Sequence, residues 1–148
     1  IFHGNREENI ADFFNVSDYE IAIKKQNSDN KSNLTSEAFV KVIVEGRDIE
    51  SRGRGNGPVN ALDKALRSDL GIYDDHLKDL VLVDYKVRIL NGGTEAITRV
   101  VIESTDKDGN SWFTVGVSPN IVEASLKALM DSIQYKLIKD NAPLPKKY

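Results

Sequence analysis

Apolar and polar positions alternate with a period of two at Tyr19, Ile21 and Ile23, set against Glu20, Ala22 and Lys24. That pattern predicts a strand with one buried face. Gln26–Asn33 is Asn, Ser, Asp and Lys, a loop by composition. Ala38–Glu45 reads as a second strand, with Val40, Val42 and Val44 on one face and Phe39, Lys41 and Ile43 on the other. Gly46-Arg47 turns the chain, and Asp48–Arg54 runs back as a third strand. Pro58 suits the first helical position, where its missing N–H costs nothing. Val59, Leu62, Leu66 and Leu70 then recur at helical spacing, and Gly71 is expected to end that helix.

The second half repeats the plan. Leu80–Leu90 predicts a strand with Val83, Tyr85, Val87 and Ile89 facing inward, turned by Asn91-Gly92-Gly93. Ile97–Ser104 and Trp112–Val117 are the next two strands, joined by the hairpin turn Asp106-Lys-Asp-Gly109. Asn120 caps a second helix, with Glu123 three residues on as a capping box. Val122, Leu126, Leu129, Ile133 and Leu137 form its apolar stripe.

The repeat extends to single residues. Asp18-Tyr19 matches Asp84-Tyr85 at an offset of 66. Gly46 matches Gly109, and Gly53 matches Gly116, at an offset of 63. Val59-x-Ala61-x-x-Lys64-Ala65-Leu66 matches Val122-x-Ala124-x-x-Lys127-Ala128-Leu129 at the same offset. The difference of three must fall in the connections between the first and third strands. The expected fold is therefore α+β in two layers: a duplicated βββα unit, its copies related by a pseudo-twofold and sharing a core. The expected boundaries are 16–71 for the first unit and 80–139 for the second, together a domain over 16–139. Residues 1–15 read as a linker, with a possible helical turn near Ile10–Phe14, and 140–148 as a C-terminal tail.

Composition excludes several chemistries. The chain has 148 residues, 40% of them apolar and 29% charged, enough for a sizeable core. Its net charge is −3, which argues against a dedicated nucleic-acid or anionic-membrane binder. It has no Cys, hence no disulfide and no thiolate chemistry. Two histidines, His3 and His76, cannot build a multi-His metal centre. No apolar stretch approaches a membrane span and no signal-peptide pattern is present, so a cytoplasmic location is expected. The only methionine is Met130 and residue 1 is Ile, which leads us to expect a piece of a longer protein.

Candidate sites are few. Gly53-Arg-Gly-Asn-Gly-Pro58 follows a strand and opens a helix, but it is not G-x-G-x-x-G, and Pro58 removes one N–H from any phosphate cradle. A tight turn is one reading. The other is that Asn56, Gly57 and the helix N-terminus hold a small carboxylate. Asn91-Gly92-Gly93-Thr94 is a hairpin turn or a loop closing over a ligand. Asp18 and Asp84 read as structural, each beside a Tyr at a strand start. His76 reads as part of a solvated loop, and Arg47, Arg52, Arg54, Lys24 and Lys25 as a solvated face. Trp112 and Phe113 read as core and interface. Nothing resembles a catalytic triad, a metal cluster or a Walker loop, so no active site and no cofactor are expected in this chain.

Three blocks carry a family resemblance: Gly53-Arg-Gly-Asn-Gly-Pro-Val-Asn-Ala-Leu-Asp-Lys-Ala-Leu66, Leu82-Val-Asp-Tyr-Lys-Val-Arg-Ile-Leu-Asn-Gly-Gly-Thr94 and Trp112-Phe-Thr-Val-Gly-Val-Ser-Pro-Asn-Ile-Val-Glu-Ala-Ser125. In this order and spacing they resemble the C-terminal regulatory domain of the α-isopropylmalate and citramalate synthases, the last block leaning to the citramalate branch. The resemblance implies a dimeric domain that follows a TIM-barrel catalytic domain in the same chain and senses an end product. That product is isoleucine in the citramalate branch and leucine in the other. It also implies an effector-binding lining of Asn56, Gly57, Pro58, Val59 and Asn60 at the first helix start. Leu82, Tyr85 and Ile89 on the fourth strand, Ala96 and Thr98 beyond the Gly-Gly turn, and Pro119 and Ile121 at the second helix start complete it. Tyr85 and Ile89 lie four apart on one strand face. Leu82 has the opposite parity, so it joins them only through a bulge or from a position before the strand.

Overall fold

Each half of the chain folds as three antiparallel strands followed by a helix. The computed structural model describes residues 13–28, 31–90 and 96–144. The expected helical turn near Ile10–Phe14 falls mostly outside them, as do His3 and the Asn91–Thr94 turn. The chain divides into two compact units, Ile1–Asp74 with Asn141–Tyr148, and Asp75–Asp140.

In the first unit β1 (Asn15–Ser28), β2 (Lys31–Val44) and β3 (Arg47–Gly55) form a sheet in the order β1-β2-β3. The reading of Gln26–Asn33 as a loop needs correction. The ladder continues through Gln26↔Asn33 to Ser28↔Lys31, because backbone pairing asks for no particular side chain. Glu45 and Gly46, at φ 53° and 78°, make the two-residue turn between β2 and β3, the geometry that matches strand twist. Helix α1 (Pro58–Ser68) begins with proline in its first turn, as expected. It ends at Asp69, not at Gly71. Asp69 is extended, and its carboxylate accepts the Gly71 N–H at 3.0 Å. Gly71, at φ 62°, then opens a 3-10 helix (Gly71–Leu77). Leu70 is buried beyond the helix end, so its helical spacing was coincidental.

Ala38, Val40, Val42 and Val44 of β2 are buried against Ala61, Leu62, Ala65 and Leu66 of α1. Two segments read as tails join this core. Phe13 and Phe14 are buried, Phe13 edge-on to Tyr73 with ring centroids 5.4 Å apart. Ala142 is buried, and the Tyr73 hydroxyl donates to the Pro143 carbonyl at 2.7 Å.

In the second unit β4 (Val81–Ile89), β5 (Thr98–Thr105) and β6 (Ser111–Ser118) form a sheet in the order β4-β5-β6, followed by α2 (Ile121–Lys139). Strict alternation buries Thr98, Val100, Ile102 and Ser104 of β5 and Trp112, Thr114, Gly116 and Ser118 of β6. Trp112 packs against Tyr135 with centroids 5.0 Å apart and the rings tilted by 39°. Asn120 caps α2 by accepting from the N–H groups of Val122 and Glu123 at 2.8 and 3.2 Å. No helix among the described residues is long and apolar enough to cross a membrane.

The helices sit on glycines. A Cβ on Gly53 would lie 2.3 Å from the Ala61 carbonyl oxygen and 2.3 Å from the Ala65 nitrogen. One on Gly116 would lie 1.8 Å from the Ala124 carbonyl oxygen and 3.0 Å from the Ala128 nitrogen. These are equivalent positions in the repeat, so each helix backbone rests directly on the third strand of its own sheet. The helix then covers the second and third strands and leaves the first at an uncovered margin.

Of Val83, Tyr85, Val87 and Ile89, read as inward-facing, Tyr85 is half-buried on the helix side, whereas the other three are exposed. Val87 and Ile89 do share the helix side of the sheet with Val100 and Thr98, but they lie beyond the reach of α2 and are 41% and 64% exposed. Val83 is the extra residue of a bulge and is exposed. His76 is not in a solvated loop. It is half-buried, its Nδ1 3.3 Å from Asp140 Oδ2. Asp140 also pairs with Lys136, a buried lysine whose Nζ reaches Asp79 Oδ1 at 3.2 Å.

At the β5–β6 turn Asp106 Oδ1 accepts the N–H groups of Asp108 and Asn110 at 3.0 and 3.1 Å, and its other oxygen pairs with Lys139. The Lys139 hydrogen bond, helped by these N–H donors against a desolvation penalty, holds the Asp106 carboxyl down at about 2.

Gly116→Ala should destabilise the chain by about 2 kcal/mol or more, since overpacking against backbone cannot relax. Gly57→Ala, where an added Cβ meets nothing within 4 Å, should cost less than about 1 kcal/mol. Urea denaturation midpoints of the two variants check this. Asp106 should lend stability in full above its unfolded value of about 3.9, and lose it as pH falls towards 2. A carboxyl NMR titration should find Asp106 near 2, and Asp106→Asn should flatten the stability profile over that window.

Candidate ligand-binding site

The uncovered margin of the second sheet gathers the expected strand residues. β4 pairs Ile89 with Thr98, Tyr85 with Ile102 and Leu82 with Ser104, and the β5 partners are all buried on the helix side. Leu82 reaches that face because the register shifts between Leu82 and Asp84. The bulge supplies the parity change that the sequence required. The same shift occurs in β1 between Val16 and Asp18, one residue before the equivalent Asp-Tyr pair, where the Ser17 hydroxyl donates to the Lys41 carbonyl at 3.2 Å. Bulges re-aim side chains and are typical of strand edges.

Tyr85 is fixed from the helix. Ser125 Oγ donates to the Ile121 carbonyl at 2.8 Å, which uses its single proton. The Tyr85 hydroxyl therefore donates to Ser125 Oγ, 3.1 Å away. The Tyr85 N–H donates to Asp84 Oδ1 at 2.9 Å, so Asp84 has a structural role. Ser125 was missed from the sequence. Its one signal is its place on the sheet-facing side of α2, a turn beyond Ile121. At the same helix start Pro119 is exposed and Ile121 is 46% exposed. Ala96 is half-buried just before β5.

Asn56, Gly57, Pro58, Val59 and Asn60 lie together in the first unit, at the start of α1. The glycine run is resolved into different roles. Gly53 and Gly55 are packing positions, since a Cβ on Gly55 would strike Asn60 Oδ1 at 2.1 Å, whereas Gly57 faces open space. Gly57 is the N-cap, and no side chain caps this helix. Its equivalent in the second unit is Asn120, which closes its own helix. The α1 start thus keeps uncapped N–H groups at Val59 and Asn60, where a helix favours an anion.

The basic residues read as a solvated face are partly matched. Arg52 covers the Phe39 ring at 4.9 Å, and Arg54 and Lys24 both pair with Glu37. A depression of about 680 Å³ lies over the outer face of the first sheet around Glu20, Phe39, Lys41 and Arg52, and includes none of the expected lining. Among the described residues no cluster of His, Asp or Glu could hold a metal ion.

The family model described as the LeuA allosteric (dimerisation) domain matches residues 1–137. An (R)-citramalate synthase of Aquifex aeolicus (strain VF5) is 50% identical over 133 residues, 88% of this chain and 25% of that protein. One of Geobacter sulfurreducens is 48% identical over 129 residues, 86% of this chain and 24% of that protein. A 2-isopropylmalate synthase of Aquifex aeolicus is 30% identical over 131 residues, 86% of this chain and 24% of that protein. The chain spans about a quarter of the length of these relatives. It belongs to the LeuA allosteric (dimerisation) domain family.

Tyr85→Phe removes the bond to Ser125 and leaves the Ser125–Ile121 bond in place. It should cost about 1 kcal/mol, read as a shift in the denaturation midpoint with an unchanged slope.

Proposed function

We propose that this chain is the regulatory part of a citramalate synthase, a homodimeric domain that binds isoleucine and lowers the condensation of acetyl-CoA with pyruvate by a TIM-barrel catalytic domain of the same protein. The observation that carries the reading is the aligned row of Leu82, Tyr85 and Ile89 at the sheet margin, half-buried at Leu82 and Tyr85 and exposed at Ile89, with a bulge and Ser125 fixing it. A branched aliphatic side chain suits this row. The uncapped N–H groups at the α1 start, with Asn56, Gly57, Pro58, Val59 and Asn60 around them, are the groups on the chain that suit its carboxylate. Ala96, Thr98, Pro119 and Ile121 complete the proposed lining. The identity with citramalate synthases, higher than with the isopropylmalate synthase, favours isoleucine over leucine.

Magnitudes set what the site must do. Burying a four-carbon side chain supplies about 1.5–3 kcal/mol. A micromolar ligand needs about −8 kcal/mol, so bonds to the charged ends carry much of the affinity. Isoleucine and leucine differ only in branching, which an apolar pocket separates by about 1–3 kcal/mol. The effector can inhibit only as far as it binds the less active arrangement more tightly, and the coupling is reciprocal for substrate binding.

Calorimetric titration of the chain with isoleucine, leucine and valine tests the reading. Isoleucine should bind with the highest affinity. Leucine in first place would reassign the sensor to the isopropylmalate branch, and absence of heat with all three would leave a dimerisation scaffold. Ile89→Ala, at a solvent-exposed position, should weaken binding more than tenfold at an unchanged melting temperature.

A further inference from the structure

On the outer face of the second sheet, turned away from α2, Arg88 stands directly opposite Arg99. Like charges opposed across antiparallel strands are destabilising. Neither arginine forms an ion pair among the described residues, and the next position in their row, on β6, is Val117. Lys86 lies two residues before Arg88 on the same face, about 7 Å along the strand, opposite Val101. Its ammonium stands 3.7 Å from Asp84 Oδ2. These three cations, with Val87 and Val101, line an open depression of about 390 Å³, and no carboxylate is among its lining residues. Val115, opposite Val101, and Val117 are partly exposed beside it.

The first sheet, built to the same plan, shows that the scaffold does not require this. Counted from the Tyr19–Val40 and Tyr85–Ile102 pairs, Glu20, Ala22 and Glu37 hold the places of Lys86, Arg88 and Arg99. Glu37 holds Lys24 and Arg54 at 3.2 and 3.5 Å, Lys41 reaches Asp48 at 3.6 Å, and Arg52 covers Phe39. Acid and base are matched within that face. The same three places in the second sheet are all basic, in a chain whose net charge is −3, and the counter-charge of the arginine pair has to come from outside.

We propose that this depression binds a phosphate group of a small metabolite, a diphosphate or a phosphate ester, between Arg88 and Arg99. Residues directly opposite on antiparallel strands start about 5 Å apart, so both guanidinium groups can turn to one anion. Each presents a planar fork of donors that matches a phosphate bidentately. An anion between them turns one repulsion into two attractions. Lys86 adds a compact charge one row further on, placed for a second phosphate. Val101, Val115 and Val117 offer an apolar bed to the organic part. The volume lies within the range of small-molecule sites, about 300–1,000 Å³. A nucleic-acid strand needs a continuous basic track, and here Asp84 opposite Glu103 ends the basic surface in the row beyond Lys86. The proposed effector row of Leu82, Tyr85 and Ile89 lies on the other face of β4, so the two readings stand independently.

Calorimetric titration of the 148-residue chain with pyrophosphate and with ADP, in phosphate-free buffer at about 0.15 M salt, tests the site, with near-ultraviolet circular dichroism as the folding control. Both probes should bind saturably, with dissociation constants below about 1 mM. Arg88→Gln and Arg99→Gln should each weaken both at least tenfold, and Lys64→Gln, on the exposed side of α1, should bind as the wild type does. Arg99→Gln also removes the opposed charges, so it should raise the melting temperature of the free chain. Pyrophosphate should raise the melting temperature of the wild type and leave that of Arg99→Gln unchanged. ADP binding more tightly than pyrophosphate assigns the ligand to phosphate esters, and equal binding assigns it to the free anion; either supports the site. Absence of saturable heat with both probes, undiminished binding by Arg99→Gln, or a single-stranded oligonucleotide binding more tightly than ADP would overturn the proposal.

Discussion

The seat of each helix backbone on a strand glycine governs the rest of this fold. Gly53 under Ala61 and Ala65, and Gly116 under Ala124 and Ala128, leave no room for a single methyl. The seat lies on the third strand, so the helix covers that strand and its neighbour and the first strand is left over. A sheet margin lying largely beyond its own helix follows directly. The residues proposed to receive a ligand, Leu82, Tyr85 and Ile89, are there because the glycine is elsewhere.

Much of this was legible in the residues. The alternation of Val40, Val42 and Val44, the proline at the start of α1, the Asn120 cap and the Asp106–Gly109 turn each rest on a local rule, and each appears where that rule puts it. Features decided by packing were not legible. Val87 and Ile89 are apolar and correctly phased, yet exposed, because phase along a strand does not encode how far a helix reaches across the sheet. Leu82 carried a hint, since its parity demanded a bulge, and the bulge at Val83 answers it. Ser125 carried almost none, as a serine on a helix face has no signature until its partner Tyr85 is placed. The polar strand ends after Gln26 were read as loop for a similar reason: hydrophobic periodicity reports burial, and a ladder can extend without it.

The two copies have diverged in ways that separate their tasks. The first has an uncapped helix and an outer sheet face whose charges are matched internally. The second has a self-capped helix and an outer face with opposed like charges. Duplication supplied one scaffold twice, and substitutions at equivalent positions gave each copy a different surface chemistry.

Tyr73 and Pro143 have a consequence for biosynthesis. The chain leaves the first unit at Asp74, builds the whole second unit, and returns at Asn141 to bury Ala142 and offer the Pro143 carbonyl to Tyr73. The second unit is thus an insertion whose two ends are clasped by His76 and Asp140. On the ribosome the inserted unit has all its residues before the host unit does. The earlier-synthesised half is the later to finish, because its contacts at Ala142 and Pro143 come only after the whole second unit.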